Sequence, residues 1–206
     1  MHREEKPETE RPPVWLDRSE PVLVIIGPSG TGKSSVLRTL RDQGLVEVTP
    51  TWTTRPRRSI EDDNSLDHIF ITKEEFSRRE QDGFFLGTAT LFGLPYRYGV
   101  PRLRKPEAGR VPVLMLRADA IGPLPELYPN HQIYQIEDDV ARVEERLRKR
   151  EQAGEDLGRR LDDYAKEVAK GARLAGRRFE NRTTVEALAE EVAHTIRQDF
   201  PRDGSS

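Results

Sequence analysis

Hydrophobic positions along the chain fall into short unbroken runs and helix-spaced stripes that alternate. Val22–Ile26 (VLVII) is an apolar run of strand length that ends at a glycine-rich turn, which predicts a strand buried on both faces. A helix is expected from Lys33 to about Gln43, stopped at Gly44, with a short strand after it over Leu45–Val48. Thr72 and Glu75 have capping-box spacing and open a helix to Asp82, ended by Gly83. Phe84–Leu86 and Thr88–Leu91 read as two short strands, Val111–Leu116 and Gln132–Ile136 as buried ones. Val140, Val143 and Leu147 recur at helical spacing, as do Leu157, Leu161, Tyr164 and Val168, giving two helices joined around Gly154. Thr183 and Glu186 make a second capping box. It opens a last helix with Val185, Leu188, Ala189, Val192 and Ile196 on one face. Strand, glycine turn, helix, strand, repeated, predicts an α/β fold with a central parallel sheet flanked by helices.

The rest of the chain bounds that domain. Residues 1 to about 20 mix charge and proline with little apolar content and are expected to form a disordered tail, with Val14 and Trp15 the pair able to dock on the body. One domain over 21–200 follows, then a loose tail over 201–206. Lys and Arg number 34 against 36 Asp and Glu, a formal charge of -2, so nothing attracts the whole chain to nucleic acid or to an anionic membrane. With no cysteine there is no disulfide, thiol nucleophile or thiolate metal site. His2, His68, His131 and His194 lack ligand spacing. There is no apolar stretch of membrane-spanning length and no signal-peptide core, so a cytoplasmic location is expected.

Gly27-Pro28-Ser29-Gly30-Thr31-Gly32-Lys33-Ser34 matches G-x-x-x-x-G-K-[ST] at each fixed position, between the first predicted strand and the first predicted helix. Such a loop lets successive backbone N–H groups converge on one β-phosphate while the helix adds its positive end. Lys33 supplies a mobile charge able to follow the γ-phosphoryl group, and Ser34 a hydroxyl for Mg²⁺. The expectation is a P-loop NTPase fold that binds a nucleoside triphosphate; the motif does not encode the base.

GPSGTGKSS, ending at Ser35, followed by Thr51-Trp52-Thr53-Thr54-Arg55-Pro56-Arg57-Arg58, resembles the guanylate kinase family, whose acceptor-phosphate segment is a T-T-R-x-x-R run. Asp67-His68-Ile69-Phe70 is similar to the family's D-Y-x-F, Glu75-Phe76 to its next helix, and Tyr98-Gly99 to its Y-G. Arg146-Leu147 with Arg150, then Arg160-Leu161, is similar to its lid, and Asn181 stands where the family has an asparagine before its last helix. The likeness spans about residues 22–199. It implies transfer of the γ-phosphoryl group of ATP, with Mg²⁺, to a phosphate-bearing acceptor, nominally GMP to GDP. ATP would be bound by residues 27–35 and Asn181. The acceptor would be bound by Thr51, Thr54, Arg55, Arg58, His68 and Tyr98 in a small subdomain over about 53–91. Lys33, Arg146, Arg150 and Arg160 would stabilise the transferring group, the arginines from a helical lid over about 144–162. Physical chemistry asks for the same parts. Two clusters of phosphate oxygens must approach, so cations are needed on both sides, and an ionised acceptor needs no general base. Arginine suits a bidentate grip on phosphate, and Arg146 and Arg150, one turn apart, face the same way.

The match breaks where guanine would be read. Guanine's pairing edge presents N–H donors and needs acceptors; the family supplies a glutamate and an aspartate. Alignment puts Gly87 at the first and Arg117 at the second, with Met115 where another acid is usual, His68 for the tyrosine and Val100 for the hydroxyl after Y-G. Asp119, two residues past Arg117, restores one carboxylate if the alignment shifts. An arginine there attracts an anion, so Arg117 and Asp119 both join the acceptor candidates. Asp67-His68-Ile69 and Tyr96-Arg97-Tyr98-Gly99-Val100-Pro101 also resemble ribose 1,5-bisphosphate phosphokinases, which make phosphoribosyl diphosphate, so a sugar phosphate is the alternative acceptor. A guanylate-kinase-like binding module without catalysis is the alternative of another class; intact Lys33, Ser34 and lid arginines weigh against it. The expected partner is a small phosphate-bearing molecule, and the expected assembly a monomer or homodimer.

Overall fold

All five side chains of β1 (Val22–Ile26) are buried, as an unbroken apolar run requires when both faces of its sheet are covered. The computed structural model describes residues 14–57, 66, 68–90, 93–107, 109–122, 124–150 and 155–201, without the side chains of 150, 155–157, 159 and 160. Period two divides β1: Leu23 and Ile25 face a core shared with α1 (Lys33–Asp42) and α6 (Val185–Asp199), while Val22, Val24 and Ile26 face a second core with Leu103, Leu114, Leu116, Ile121 and, from the short α3 (Leu124–Leu127), Leu124. β2 (Val46–Thr49), β7 (Val111–Met115), β8 (His131–Glu137) and β9 (Arg177–Glu180) complete a parallel sheet of order β2-β7-β1-β8-β9. Parallel strands align their carboxyl ends, so the loops leaving β1, β7 and β8 open on one edge.

A second, four-stranded sheet of order β4-β3-β6-β5 stands beside it, built from β3 (Thr51–Thr53), β4 (His68–Phe70), β5 (Phe85–Thr90) and β6 (Arg97–Pro101). Its strands therefore run past the expected 53–91 span at both ends. Helix α2 (Lys73–Gln81) covers one face. Phe76 stacks on Phe85 at 4.6 Å, and the Arg79 guanidinium lies 4.3 Å over Trp52. Thr72 caps α2 as expected, accepting from Glu75 N at 3.1 Å.

Several elements differ from the sequence reading. The two strands expected over 84–91 are one strand with a register shift between Phe85 and Gly87. The bulge turns Phe85 and Thr88 to the same side, where Phe85 stacks on α2 and Thr88 Oγ1 donates to Glu80 Oε1 at 3.0 Å. Thr184, not Thr183, caps α6, accepting from Ala187 N at 3.2 Å; buried Leu188, Ala189, Val192, Ala193 and Ile196 fix the helix phase, and the cap follows it. The expected tail ends sooner, because Leu16 is buried in the second core. Leu16 N donates to Leu103 O at 3.0 Å and Lys105 N to Val14 O at 2.8 Å. The rest of that tail, residues 202–206 and the joint at Gly154 lie outside the described residues. Strands β3, β4, β6 and β9 escaped the pattern because they are short or mostly polar; Phe179 is the sole buried residue of β9. No helix among the described residues is long and apolar enough to cross a membrane.

Helices α4 (Val140–Arg150) and α5 (Glu155–Leu174) pack as a hairpin through Val143, Leu147 and Tyr164. Asp139 caps α4, its Oδ1 accepting from Ala141 N at 3.0 Å and Arg142 N at 3.3 Å.

From the middle of β8, Tyr134 Oη donates to Asp199 Oδ2 at 2.8 Å, and Arg177 grips the same carboxylate with Nε at 3.1 Å and Nη2 at 2.8 Å. The Arg177 hydrogen bond, with help from Tyr134, holds the Asp199 carboxyl below its ordinary value of 3.8. A carboxyl whose folded pKa is depressed stabilises the fold above its unfolded pKa, and that contribution fades as pH falls through the lower folded value. Asp199→Asn is therefore expected to cost about 1 kcal/mol at pH 7, a figure discounted because Arg177 is half exposed. Urea unfolding should show the gap between wild type and variant closing as the pH falls below the ordinary carboxyl value of 3.8; a gap independent of pH would remove this carboxylate from the acid response.

Candidate active site

The glycine loop after β1 is shaped by what it must pass. Gly27 has φ +139°, and a Cβ there would lie 2.1 Å from the carbonyl oxygen of Ile136 on β8. Gly30 has φ +86°, and its Cβ would meet Val143 Cγ1 at 3.1 Å and Leu147 Cγ at 3.2 Å, so α4 packs directly on the loop. Gly32, the N-cap of α1, brings no side chain to the first N–H groups of the helix, which stay directed at the loop's concavity. Thr31 is buried, its hydroxyl donating to Pro28 O at 3.1 Å, and buried Asn181 donates Nδ2–H to Thr31 O at 3.1 Å. Asn181 thus braces the loop from the turn after β9. Ser29 lies in the loop, and Ser34 and Ser35 on the first turn of α1, with Ser34 Oγ 3.9 Å from Met115 Sδ.

Lys33 Nζ donates to Gly27 O at 2.7 Å and Pro28 O at 2.6 Å. The loop carbonyls keep the ammonium beside the loop, and a phosphate oxygen is the stronger acceptor, because its formal negative charge adds a charge–charge attraction to the hydrogen bond that a neutral carbonyl does not offer.

Helix α4 brings a second cation to the loop. Arg146 Nη1 donates to Gly30 O at 2.6 Å, and Arg146 Nη2 pairs with Asp138 Oδ2. The side chains of Arg150 and Arg160 lie outside the described residues.

On the second sheet, Thr51 Oγ1 and His68 Nδ1 are 2.7 Å apart, and the rings of His68 and Tyr98 are 5.8 Å apart. Thr54 Oγ1 accepts from Arg97 N at 2.9 Å, an arrangement that leaves its proton to donate. Arg55 is buried, with its guanidinium 5.0 Å over Phe70 and Nη1 donating to Pro56 O at 2.9 Å. Arg58 and Asp67 lie outside the described residues.

Arg117 and Asp119 point elsewhere. Arg117 Nη2 pairs with Asp163 and with Glu167 Oε2 at 2.8 Å, while Asp119 pairs with Lys170, all on α5. Glu167 Oε1 also accepts from Ala118 N at 2.7 Å. These contacts tie α5 to the exit of β7. Gly87 and Val100 instead line a small apolar slot with Leu86, Leu116, Ile121 and Leu124.

Sequence reasoning missed Arg97 and Asp138. Arg97 packs 4.5 Å over Phe76 and pairs with Glu80, fastening α2 to the second sheet; its place opposite Tyr98 in strand alternation was the available signal. Asp138 sits between Glu137 and Asp139 in an acidic run that reads as a solvated helix start, and nothing in the run tells which acid is buried. Among the described residues no group of three or more His, Asp or Glu could hold a metal ion.

A glycine loop and a helix N-terminus at the carboxyl edge of a parallel sheet, with a lysine and an arginine drawn to that loop, define an α/β nucleotide-binding protein. A family model described as guanylate kinase matches residues 19–170. The chain is 32% identical over 154 residues to the guanylate kinase of Thermosynechococcus vestitus, covering 72% of this chain and 79% of that one. It is 42% identical over 82 residues to the guanylate kinase of Thermotoga maritima, which covers 39% of this chain and 38% of that one. The crystal structure of guanylate kinase from Anaplasma phagocytophilum is similar in fold, with a TM-score of 0.62, 22% identity, and coverage of 88% of this chain and 87% of that one. The chain belongs to the guanylate kinase family.

Proposed function

We propose that the protein transfers the γ-phosphoryl group of ATP to GMP, giving ADP and GDP. The observation that carries this reading is the loop over 27–34, with Lys33 Nζ 2.7 Å from Gly27 O and Arg146 Nη1 2.6 Å from Gly30 O. Two cations thus stand at the backbone ring where the polyphosphate would sit. Relatives at 32% and 42% identity bear the guanylate kinase name, which favours GMP over a sugar bisphosphate and a working enzyme over a binding module.

In this reading the loop N–H groups and the start of α1 hold the β-phosphate, and Lys33 exchanges its loop carbonyls for phosphate oxygens. Arg55 and Arg58, with the hydroxyls of Thr51 and Thr54, hold the acceptor phosphate on the second sheet, with His68 and Tyr98 beside them. An acceptor phosphate oxygen attacks the γ-phosphorus in line while Lys33, Arg146, Arg150 and Arg160 offset the charge, the last three from the α4–α5 hairpin acting as a lid. Ser34 suits Mg²⁺ as a hard oxygen ligand, the remainder of the shell coming from phosphate and water. Bound there, the ion neutralises charge on the phosphates.

Base selection should be weak. Gly87 and Val100 line an apolar slot, and Arg117 and Asp119 are paired with α5, so among these four positions none offers a carboxylate to guanine's N–H donors. Sites that hydrogen-bond a substrate reject analogues by about 10⁴-fold or more, whereas apolar pockets manage about 10- to 200-fold. A coupled ADP-release assay across GMP, dGMP, AMP, UMP and ribose 1,5-bisphosphate should rank GMP first, with AMP within about 200-fold in kcat/KM. Turnover of ribose 1,5-bisphosphate alone would overturn the assignment. Arg58→Ala is expected to raise KM for GMP about tenfold or more with KM for ATP unchanged, because it removes one charge-assisted grip on the acceptor phosphate. An unchanged KM for GMP would take Arg58 out of the site.

A further inference from the structure

Asp138 is a buried carboxylate set beside a loop that receives a polyanion, an unfavourable place for a negative charge unless it is paired and hydrogen-bonded, so its partners show what it holds in place. Its side chain is 0% exposed. Capping α4 is not its role, because Asp139 does it. The Asp138 carboxylate accepts from Asp139 N with Oδ1 at 2.7 Å and takes two arginines from α4: Oδ2 pairs with Arg146 Nη2, and Oδ1 lies 2.9 Å from Arg142 Nη2. Each arginine reaches on to a backbone carbonyl. Arg146 Nη1 donates to Gly30 O in the phosphate loop at 2.6 Å, and Arg142 Nη1 donates to Arg182 O at 2.8 Å, one residue past the Asn181 that braces Thr31. From α5, Tyr164 Oη donates to Asp138 O and lies 3.2 Å from Asp138 N. Burial raises the Tyr164 pKa, which keeps that phenol protonated as a donor.

The cluster of two arginines and one carboxylate keeps a net positive charge, so it still attracts phosphate. What Asp138 adds is orientation. A long arginine side chain on a helix loses rotamer freedom when it must meet a transferring group, and a partner that fixes it beforehand removes that loss from the reaction. Two of the five guanidinium N–H groups of Arg146 make the bonds to Asp138 and Gly30, and its side chain is 32% exposed, so it remains open to a ligand.

We infer that Asp138 is a positioning residue for phosphoryl transfer: it aims Arg146 at the phosphate loop and couples that aim to the α4–α5 hairpin through Tyr164. This rests on the kinase reading, because the effect is read on turnover.

The test is a double-mutant cycle of Asp138→Asn and Arg146→Ala, following kcat, KM for GMP and the thermal midpoint. Asp138→Asn is nearly isosteric. It is expected to lower kcat about 10- to 100-fold, with KM for GMP within about twofold. In the Arg146→Ala background the same change should alter kcat less than about twofold, because Asp138 acts through that arginine. Losses that multiply in the double variant, or a wild-type kcat in folded Asp138→Asn, would overturn the inference. Tyr164→Phe supplies a second route if Asp138→Asn does not fold: it frees Asp138 from α5 without removing the charges. It should lower kcat several-fold in wild type and leave kcat unaltered in Arg146→Ala; equal losses in both backgrounds would overturn the inference. A wild-type protein that makes no GDP would instead sink the kinase reading, so the two failures are distinguishable.

Discussion

Lys33→Ala is expected to lower kcat by about 10³-fold or more while the protein stays folded. Removing one preorganised donor from a site of developing charge typically costs 10² to 10³ in rate, and a full cation beside the γ-phosphoryl group exceeds a neutral donor. The fold should survive because Lys33 Nζ donates to Gly27 O and Pro28 O in its own loop, while the core side of α1 is carried by Val36, Leu37 and Leu40. A thermal midpoint within about 3 °C of wild type, with GDP formation near background, is the predicted pair. Normal GDP formation by Lys33→Ala would refute the mechanism.

Gly27→Ala should be more damaging to the protein itself. The added Cβ would lie 2.1 Å from Ile136 O, a backbone atom of the central sheet that has no rotamer to change, and φ +139° is strained for any L side chain. Either the loop moves off β8 or the strand gives way, at a cost of about 3 to 5 kcal/mol. Because the loop is also the phosphate cradle, the variant should lose the thermal stabilisation that an ATP analogue gives the wild type. Gly44→Ala is the control: its φ is also positive, at +69°, but nothing lies within 4 Å of its Cβ, so a penalty of about 1 kcal/mol with full ATP-analogue stabilisation is expected. Equal losses for the two variants would mean that the approach to Ile136 is not what constrains the loop.

What could be read from the chain beforehand follows the physics of each element. β1 was legible because a strand covered on both faces must be continuously apolar, and α6 because a one-sided helix repeats its apolar positions in a stripe. The loop between β1 and α1 was legible because few residue types can follow its path and still expose backbone N–H groups. β3, β4 and β6 were not, since TWT, HIF and RYGVP are too short to show a period and take their order from pairing with one another. The acceptor side illustrates a second limit. Sequence position brings Arg117 and Asp119 to the end of β7, yet which way they turn depends on Asp163, Glu167 and Lys170, more than forty residues away on α5. Asp138 makes the same point from the other direction: among three consecutive acids, burial singles out one, and burial is a property of the packed hairpin.

The proposed transfer depends most on the loop leaving β1 as a receptor for the β-phosphate. A crystal structure with Mg²⁺ and a non-hydrolysable ATP analogue tests this directly. The β-phosphate oxygens should accept from backbone N–H groups between Gly30 and Ser34, with Lys33 Nζ moved from the Gly27 and Pro28 carbonyls to the phosphates and Arg146 on the same polyphosphate. An analogue bound elsewhere, with Lys33 still on its two carbonyls, would contradict the account.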